Sequence, residues 1–269
     1  MSTVHSVILG IIQGLTEFLP VSSKTHLLFA EQIFKIDPKW RVSFDVLLHL
    51  GTAVALVIFF IKPIMRIIGG LFSRTNDTRR ENWNIVLAIV VGSIPAAVLG
   101  FILKDKVDVL FEAPIYAAAL LLVTGIVLFL TRKTDGQKTR LSVTDGLVIG
   151  IAQAIAIMPG ISRSAFTIGA ALFLGFARPE AFEFSFLLSI PAILGAGLLK
   201  LKGSGMLHGT SGISHSDMVA GFLVSAVVGM LALYIVKKIL LRRRFWLFSF
   251  YCWALGVVAL VYFTFLTHV

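Results

Sequence analysis

Six uninterrupted apolar runs constrain this chain most strongly, because about 18 apolar residues in a helix cross the roughly 30 Å hydrocarbon core of a membrane. The runs cover residues 44–61, 85–103, 113–130, 182–199, 218–236 and 245–267. Only 14% of the 269 residues are charged, whereas about 25% are charged in an average soluble domain. The sequence therefore predicts an all-α polytopic membrane protein, a single membrane domain over residues 1–269 with six full transmembrane helices.

Two further apolar regions, residues 4–34 and 147–176, do not fit the pattern of a simple span. Each is interrupted near its middle by proline, glycine and a cluster of hydroxyl and charged side chains. Broken segments of this kind are tolerated in a membrane only where they are buried in protein or line a polar cavity. The two regions are therefore candidate functional segments.

The loops between the six runs alternate in positive charge. Basic residues outnumber acidic ones by five to two in 62–81, four to one in 132–140 and five to none in 237–244, whereas 104–112 and 200–217 carry two basic residues each. Because cytoplasmic loops are enriched in Lys and Arg, the three basic loops are predicted to face the cytoplasm and both termini the outside. This order requires each interrupted region to enter and leave on one face, as a re-entrant helical hairpin.

The formal net charge of +10 does not indicate nucleic-acid binding. Its basic residues lie in short runs between apolar stretches, which is typical of membrane loops. The single cysteine, Cys252, excludes an intrachain disulfide. The first residues carry no Lys or Arg before the apolar run is interrupted, so we expect no cleavable signal. The sequence leaves open whether the chain forms a homo-oligomer.

The two interrupted regions match each other after a shift of 140 residues. The matched pairs are Gly10 with Gly150, Gln13 with Gln153, Val21 with Ile161, Ser22 with Ser162, Leu47 with Leu187 and Leu48 with Leu188. Three spans separate the regions, so the second copy is predicted to be inverted. We expect an inverted repeat with halves 1–131 and 141–269, an architecture that forms polar sites near the midplane.

The first break contains a carboxylate at membrane depth. Gln13 and Glu17 are four residues apart and share a helical face. An ionisable carboxylate within a membrane is energetically costly unless it is paired or functional. Glu17 is therefore either a functional group or a structural group that is hydrogen-bonded to a neighbouring helix. Pro20 predicts the end of the first helix. Ser22 and Ser23 follow it, either as caps of the next helix or as reactive hydroxyls.

The second break reads MPGISRSAFT over residues 158–167. Its substrate-binding candidates are Ser162, Ser164 and Thr167, which surround Arg163. At the start of a helix, free backbone amides bind anions, and an arginine can donate two parallel hydrogen bonds to the oxygens of one phosphate. The alternative is that Arg163 reaches the lipid headgroups or only neutralises Glu17.

If the two halves meet, these side chains share one pocket with Gln13, Glu17, Ser22, Ser23 and His26, in which Gln13 and Ser22 are further substrate-binding candidates. A nucleophile, an acid or base and an anion clamp together favour phosphoryl transfer, in which catalysis is mostly positioning and charge neutralisation. A pocket within lipid favours a lipid phosphate as substrate. The rival interpretation is a secondary transporter or flippase for a lipid phosphate or another anion, since such proteins share inverted repeats and broken helices.

Both breaks resemble the signature motifs of the undecaprenyl pyrophosphate phosphatase family, also called bacitracin-resistance proteins. The resemblance rests on EFLPVSS at 17–23 with His26, on PGISRS at 159–164 with Thr167, and on FEFSFLL at 182–188 before Pro191. It covers essentially the whole chain. It implies a hydrolase of the bacterial cytoplasmic membrane that converts undecaprenyl pyrophosphate to undecaprenyl phosphate on the outer face, with a divalent metal, magnesium or calcium. The product is the recycled lipid carrier for cell-wall synthesis.

The resemblance also implies residue roles. Glu17 and Gln13 match the acidic or amide pair, in which the carboxylate holds metal or activates the attacking group. Ser23 matches the proposed nucleophile, His26 the proposed acid or base, and Arg163 the pyrophosphate clamp. Whether Ser23 or a water attacks stays open.

Two departures from the family pattern bear on these roles. Lys24-Thr25 stands where the family typically has Thr-Gly, and Ala165-Phe166 where it has Gly-Ala. The loss of glycine at position 25 predicts a change in the first loop, because glycine adopts positive φ most easily. Lys24 either assists phosphate binding or faces solvent.

Three other groups of polar residues are weaker candidates. His49, near Asp45 in the first span, is expected to be a hydrogen-bonded interior group. Glu183 is expected to pair with Arg178 near the cytoplasmic face. His208 and His215 flank a loop and are poor metal-ligand candidates.

Overall fold

The computed structural model describes the backbone of residues 3–111, 114–203 and 214–266, and the side chains of 3–37, 43–103, 114–197 and 214–265. Eleven α-helices lie within these ranges. They are α1 (Thr3–Phe18), α2 (Ser23–Ile33), α3 (Pro38–Phe59), α4 (Ile61–Leu71), α5 (Asn76–Phe111), α6 (Pro114–Leu130), α7 (Val143–Ile155), α8 (Arg163–Phe173), α9 (Arg178–Gly203), α10 (His215–Leu241) and α11 (Phe248–Val261). Short 3₁₀ turns precede α7 and α11, and a π-helical turn, Tyr262–Leu266, follows α11.

Five of these helices, α5, α6, α9, α10 and α11, are long and apolar enough to cross a membrane. The α3–α4 pair adds a sixth span if it is counted as one. Large apolar side chains such as Phe101, Val227 and Val258 are exposed on these helices, and in water such an apolar surface would be costly. The prediction of an all-helical, multi-pass membrane protein is therefore confirmed.

The first predicted span, 44–61, is bent rather than straight. The two helices α3 and α4 meet at an angle of 60°. Pro63 lies in the first turn of α4, and a proline ring clashes with the carbonyl of the residue four positions earlier, here Phe59. Since α3 ends at Phe59, the bend occurs where Pro63 prevents the helix from continuing.

Both interrupted regions consist of two helices joined by a tight connection, as the prolines predict. Helix α1 ends at Phe18, two residues before Pro20, and α7 ends at Ile155, before Pro159. Helices α1 and α2 pack against each other, and so do α7 and α8. The two short helices α2 and α8 therefore start at Ser23 and Arg163, within the two motifs.

The first helix of each interrupted region packs on a long helix of the other half. Helix α1 lies against α10, and α7 lies against α5. The approach is close at glycines: a Cβ on Gly10 would lie 2.9 Å from the Gly221 carbonyl oxygen, and a Cβ on Gly150 would collide with the Gly92 backbone. Small residues let membrane helices approach closely, so these glycines allow α1 and α7 to pack tightly on α10 and α5.

Candidate active site

Glu17 lies at the centre of a buried hydrogen-bonded cluster near the end of α1. Its side chain is only 5% exposed. The Ser23 hydroxyl donates to Oε2 at 2.7 Å and the Gln13 amide to the same oxygen at 3.1 Å. Because α1 ends at Phe18 and α2 begins at Ser23, the break folds the serine back over the carboxylate.

Arg163 reaches the same carboxylate from the other half of the chain. The Nη2 atom of its guanidinium lies 2.6 Å from Oε1 of Glu17, and the Arg163 side chain is 19% exposed. Arg163 is the first residue of α8, so the guanidinium sits beside the unpaired backbone amides of a helix N-terminus. The two breaks therefore meet in one site, as the sequence predicts, and the pairing of Arg163 with Glu17 is part of that site.

Helix α3 closes a third side of the cluster. His49 places Nε2 3.7 Å from Oε2 of Glu17, while its Nδ1 lies 2.8 Å from the Asp45 carbonyl oxygen. A carbonyl cannot donate, so Nδ1 carries the proton of that bond. The Gln13 amide also donates to Thr52 Oγ1 at 3.4 Å. His49 is a hydrogen-bonded interior group, as expected, and it also borders the carboxylate.

The turn before Arg163 is held by a threonine on α6. The Thr124 hydroxyl donates to the Gly160 carbonyl at 2.8 Å and accepts from the Ser162 backbone amide at 3.1 Å. Gly160 has φ of 92°, which favours glycine, and a Cβ there would collide with the Ala117 carbonyl oxygen. This turn fixes where α8, and hence Arg163, begins.

The serines and threonine around Arg163 have mainly local roles. Ser162 caps α8 by accepting from the Ala165 amide at 3.3 Å. The Ser164 hydroxyl donates to the Leu19 carbonyl at 3.2 Å and so ties the second break to the first. Thr167 donates to the carbonyl of Arg163 itself at 2.9 Å. Their predicted contact with substrate stays a prediction.

Ser22 and His26 form hydrogen bonds with groups other than Glu17. The Ser22 hydroxyl lies 3.0 Å from that of Thr25 and makes no cap hydrogen bond to α2. His26 Nδ1 lies 2.8 Å from the Ser22 carbonyl oxygen and Nε2 lies 2.7 Å from the Tyr251 hydroxyl, with the two rings stacked. Both His26 nitrogens are thus engaged, and the acid–base role of His26 stays a prediction.

The Lys24-Thr25 departure from the family pattern is accommodated in the first loop, and Ala165 and Phe166 lie within α8. Positive φ occurs at Ser22, 68°, and not at Thr25, which lies within α2, so a glycine at position 25 is not required. The Lys24 ammonium donates to the Ile157 carbonyl oxygen at 3.2 Å, and its assistance in phosphate binding stays a prediction. This contact joins the first break to the end of the α7 segment.

The expected pairing of Glu183 with Arg178 is wrong. Glu183 pairs with Arg66 of α4, and Arg178 donates to the Thr134 carbonyl at 2.8 Å. Residues five apart do not share a helical face, whereas the bend at Phe60 brings α4 back towards α9. His208 lies outside the described residues, and His215 is exposed at the start of α10.

The oxygen atoms of Glu17 and Gln13 are suitable ligands for a hard divalent cation. The Oε1 atom of Gln13 is buried and makes no hydrogen bond, and it belongs to the side chain that holds the Glu17 carboxylate. Carboxylate and amide oxygens are the ligands that Mg²⁺ and Ca²⁺ prefer, and Mg²⁺ often completes its shell with waters and substrate phosphate oxygens. Three or more His, Cys, Asp or Glu residues do not converge anywhere in the described chain, so substrate would have to supply further ligands.

Sequence reasoning missed Thr52, Thr124 and Tyr251. Thr52 and Thr124 were each detectable as a hydroxyl within an apolar run, whereas Tyr251 lies among other aromatic residues and gave no such signal. All three act through contacts between helices far apart in the chain. Such contacts follow from helix packing and not from local pattern.

Comparisons with known proteins cover nearly the whole chain, including both breaks. A family described as bacitracin resistance protein BacA matches residues 6–258. The chain is 41% identical to an undecaprenyl-diphosphatase of Desulforapulum autotrophicum and 43% identical to one of Desulfosudis oleivorans, each over 97% of this chain and 98% of the relative. It is 38% identical to an undecaprenyl-diphosphatase of Thermosipho africanus, over 95% of this chain and 98% of the relative. The chain therefore belongs to the bacitracin resistance protein BacA family.

Proposed function

We propose that this membrane protein hydrolyses undecaprenyl diphosphate to undecaprenyl phosphate and inorganic phosphate, which recycles the lipid carrier for cell-wall synthesis. One observation carries the chemistry: the two oxygens of Glu17 accept from Arg163 and from Ser23 at 2.6 and 2.7 Å. A base, a nucleophile and an anion-binding cation therefore lie within one buried cluster. The relatives named undecaprenyl-diphosphatase support the lipid substrate.

Ser23 is the nucleophile in this proposal. Its hydroxyl already donates to Glu17 Oε2, the arrangement in which a base activates a hydroxyl. As Ser23 Oγ bonds to the terminal phosphorus, its proton passes to Glu17 and the bond from that phosphorus to the bridging oxygen breaks. Undecaprenyl phosphate leaves with the electron pair. A water then attacks the phosphoserine, the bond from phosphorus to Ser23 Oγ breaks, and Glu17 returns its proton to Oγ. Inorganic phosphate leaves with the atoms of the water, and both residues are restored.

Arg163 neutralises the charge that this transfer moves. Arginine has five N–H donors, and the hydrogen bond from Nη2 of Arg163 to Glu17 uses one of them. The remaining donors and the backbone amides at the start of α8 suit phosphate oxygens. A lipid phosphate monoester is a good leaving group once its charge is neutralised, so positioning and electrostatics supply most of the catalysis.

A magnesium or calcium ion would be held by the Glu17 carboxylate, the Gln13 Oε1 atom and the diphosphate oxygens. When bound, such an ion neutralises phosphate charge and polarises the phosphorus–oxygen bond. Gln13 also orients the carboxylate, because its amide donates to Oε2 of Glu17. Thr52 holds that amide from α3.

The proposed topology is an inverted repeat with two re-entrant hairpins, α1–α2 and α7–α8, among six spans. This topology is supported by the packing of α1 and α7 on helices of the opposite half, α10 and α5. The equivalent close contacts of Gly10 and Gly150 support it as well. The family resemblance implies the cytoplasmic membrane, and the loop charges favour loops 62–81, 132–140 and 237–244 on its cytoplasmic side. The active site would then open to the outer face.

Phosphate release from a purified sample tests this function against transport. Protein in detergent has no membrane to transport across, so only an enzyme releases inorganic phosphate and prenyl monophosphate in equal amounts from a prenyl diphosphate with Mg²⁺. Arg163→Ala should lose about a thousandfold or more in rate, whereas Arg74→Ala, an exposed arginine outside the site, should not change it. Absence of release from folded wild-type protein, with lipid movement in vesicles, would establish a transporter instead.

A further inference from the structure

Helix α4 has an unusual exposed surface. Its large apolar side chains Ile61, Met65 and Ile68, together with the following Phe72, are all exposed, at positions i, i+4, i+7 and i+11. They form one apolar stripe along the helix. The cations Lys62 and Arg66 lie beside the stripe. A short helix with an apolar face and flanking cations lies in the interfacial plane of a membrane, and the 60° bend from α3 allows that orientation.

A cleft of about 290 Å³ lies where α4 leaves α3. Its walls come from the α3–α4 bend, the start of α9 and the end of α10. They include Phe59, Phe60, Lys62, Phe182, Tyr234 and Lys237. Four of these six side chains are aromatic, and Phe59 contacts both Phe182 and Tyr234. With α4 in the interfacial plane, the mouth of the cleft would lie at the depth of lipid headgroups.

The cleft carries an excess of positive charge. Lys62 and Lys237 are both exposed at its wall, and the Lys237 ammonium lies 5.9 Å from the centre of the Phe59 ring. The acidic residue of the wall, Glu183, is bound by Arg66 and so is already neutralised. An occupant that balances the two lysines must therefore be anionic.

This cleft is separate from the active site. Phe18, next to Glu17, contacts Phe186, which contacts Phe60 at the cleft, and all three rings are at most 2% exposed. Along α3, ten residues separate His49 at the active site from Phe59 at the cleft, a distance of about 15 Å in a helix. A packed aromatic layer therefore divides the two.

We propose that this cleft binds an anionic phospholipid of the leaflet on the side of the basic loops, with its phosphate between Lys62 and Lys237 and the start of its acyl chains on the rings of Phe59 and Tyr234. Charge complementarity selects a phosphate group. The aromatic walls and the interfacial position of α4 select a lipid over a soluble phosphate. This binding is independent of the proposed phosphatase activity.

Native mass spectrometry of the purified full chain tests the proposal, with dioleoyl phosphatidylglycerol as the probe and dioleoyl phosphatidylcholine as the neutral comparison. The test variant is Lys62→Gln with Lys237→Gln. The matched control is Arg74→Gln with Arg80→Gln, which removes the same charge from exposed positions outside the cleft. Inorganic phosphate is titrated as a competitor.

We expect the cleft variant to retain about tenfold less phosphatidylglycerol than wild type, while phosphatidylcholine retention and thermal unfolding stay the same. The control variant should retain phosphatidylglycerol like wild type. Equal retention by the cleft variant and wild type would overturn the proposal, and so would an equal loss in the control, which would indicate a diffuse charge effect. Displacement by inorganic phosphate at the concentration of the lipid would overturn the assignment to a lipid.

Discussion

The Arg163 guanidinium lies 2.6 Å from a carboxylate oxygen of Glu17, although the two residues are 146 positions apart in the chain. Each belongs to a break in an apolar region, and each break is held by a different set of helices. The pair is mostly buried, and removal of one partner of a buried ion pair is strongly destabilising. One contact thus joins the two halves and assembles the proposed catalytic groups.

Replacement of Ser23 by alanine should lower kcat by at least about a thousandfold, because it removes the proposed nucleophile. Wild-type protein quenched during turnover of a substrate labelled at the terminal phosphate should carry label on Ser23. Ser22→Ala is the matched control, since that hydroxyl faces Thr25, and it should retain most activity. Substantial turnover by Ser23→Ala would instead assign the attack to a water activated by Glu17.

Replacement of Gln13 by leucine should raise the Mg²⁺ concentration for half-maximal rate by about tenfold, because it removes a metal-ligand oxygen and a donor to Glu17. The dependence of phosphate release on Mg²⁺ measures this shift. Gln153→Leu changes the matching residue of the second half and should leave the requirement unchanged. An unaltered requirement in Gln13→Leu would exclude Gln13 from the metal site.

Replacement of Thr124 by valine should lower kcat about tenfold or more, although Thr124 lies on α6 outside both motifs. The valine has the same shape but leaves the Ser162 amide without its acceptor, at a cost of about 1–3 kcal/mol, and the turn that positions Arg163 loosens. Thr124→Ser keeps the hydroxyl and should restore the rate. Equal kcat for wild type and the valine variant would show that the turn is held by other contacts.

The stability contributed by Asp145 should depend on pH. Burial raises the pKa of this carboxyl, but hydrogen bonds from Lys138 and Ser142 outweigh burial and hold its pKa below the ordinary value of 3.8. Its stabilising effect is therefore present above pH 3.8 and is lost as the pH falls through the lowered pKa.

The same side chain completes the capping box of α7 with Ser142. Thermal unfolding in detergent should show Asp145→Asn less stable than wild type at pH 7, by about 0.5–2 kcal/mol. The difference should shrink below pH 3.8. A difference independent of pH would contradict the ionised state of Asp145.

The breaks were predictable because their causes are local. Pro20 and Pro159 disfavour continuation of a helix, and serine residues follow closely after both of them. Only apolar residues follow directly after Pro95 and Pro191, which lie within α5 and α9. The meeting of Glu17 and Arg163 was also predictable, because a repeat and a charge alternation imply where the two segments lie.

Contacts that depend on helix packing were not predictable. Glu183 pairs with Arg66 because the chain bends between α3 and α4, after Phe59. An apolar run in the sequence indicates the length of a span but does not indicate such a bend. His26 follows the family motif, yet its ring nitrogens bind Ser22 and Tyr251. The position of Tyr251 is set by how α11 packs, which depends on residues throughout the chain.

A double-mutant cycle on Glu17 and Arg163 tests the central claim most directly. Glu17→Asp, Arg163→Lys and the double variant keep the charges, so that phosphate release from a prenyl diphosphate stays measurable. If the two residues act as one unit, the double variant should lose little more kcat/KM than the worse single variant, with a coupling of about 1 kcal/mol or more. Losses that add to within about 0.5 kcal/mol would contradict a shared site.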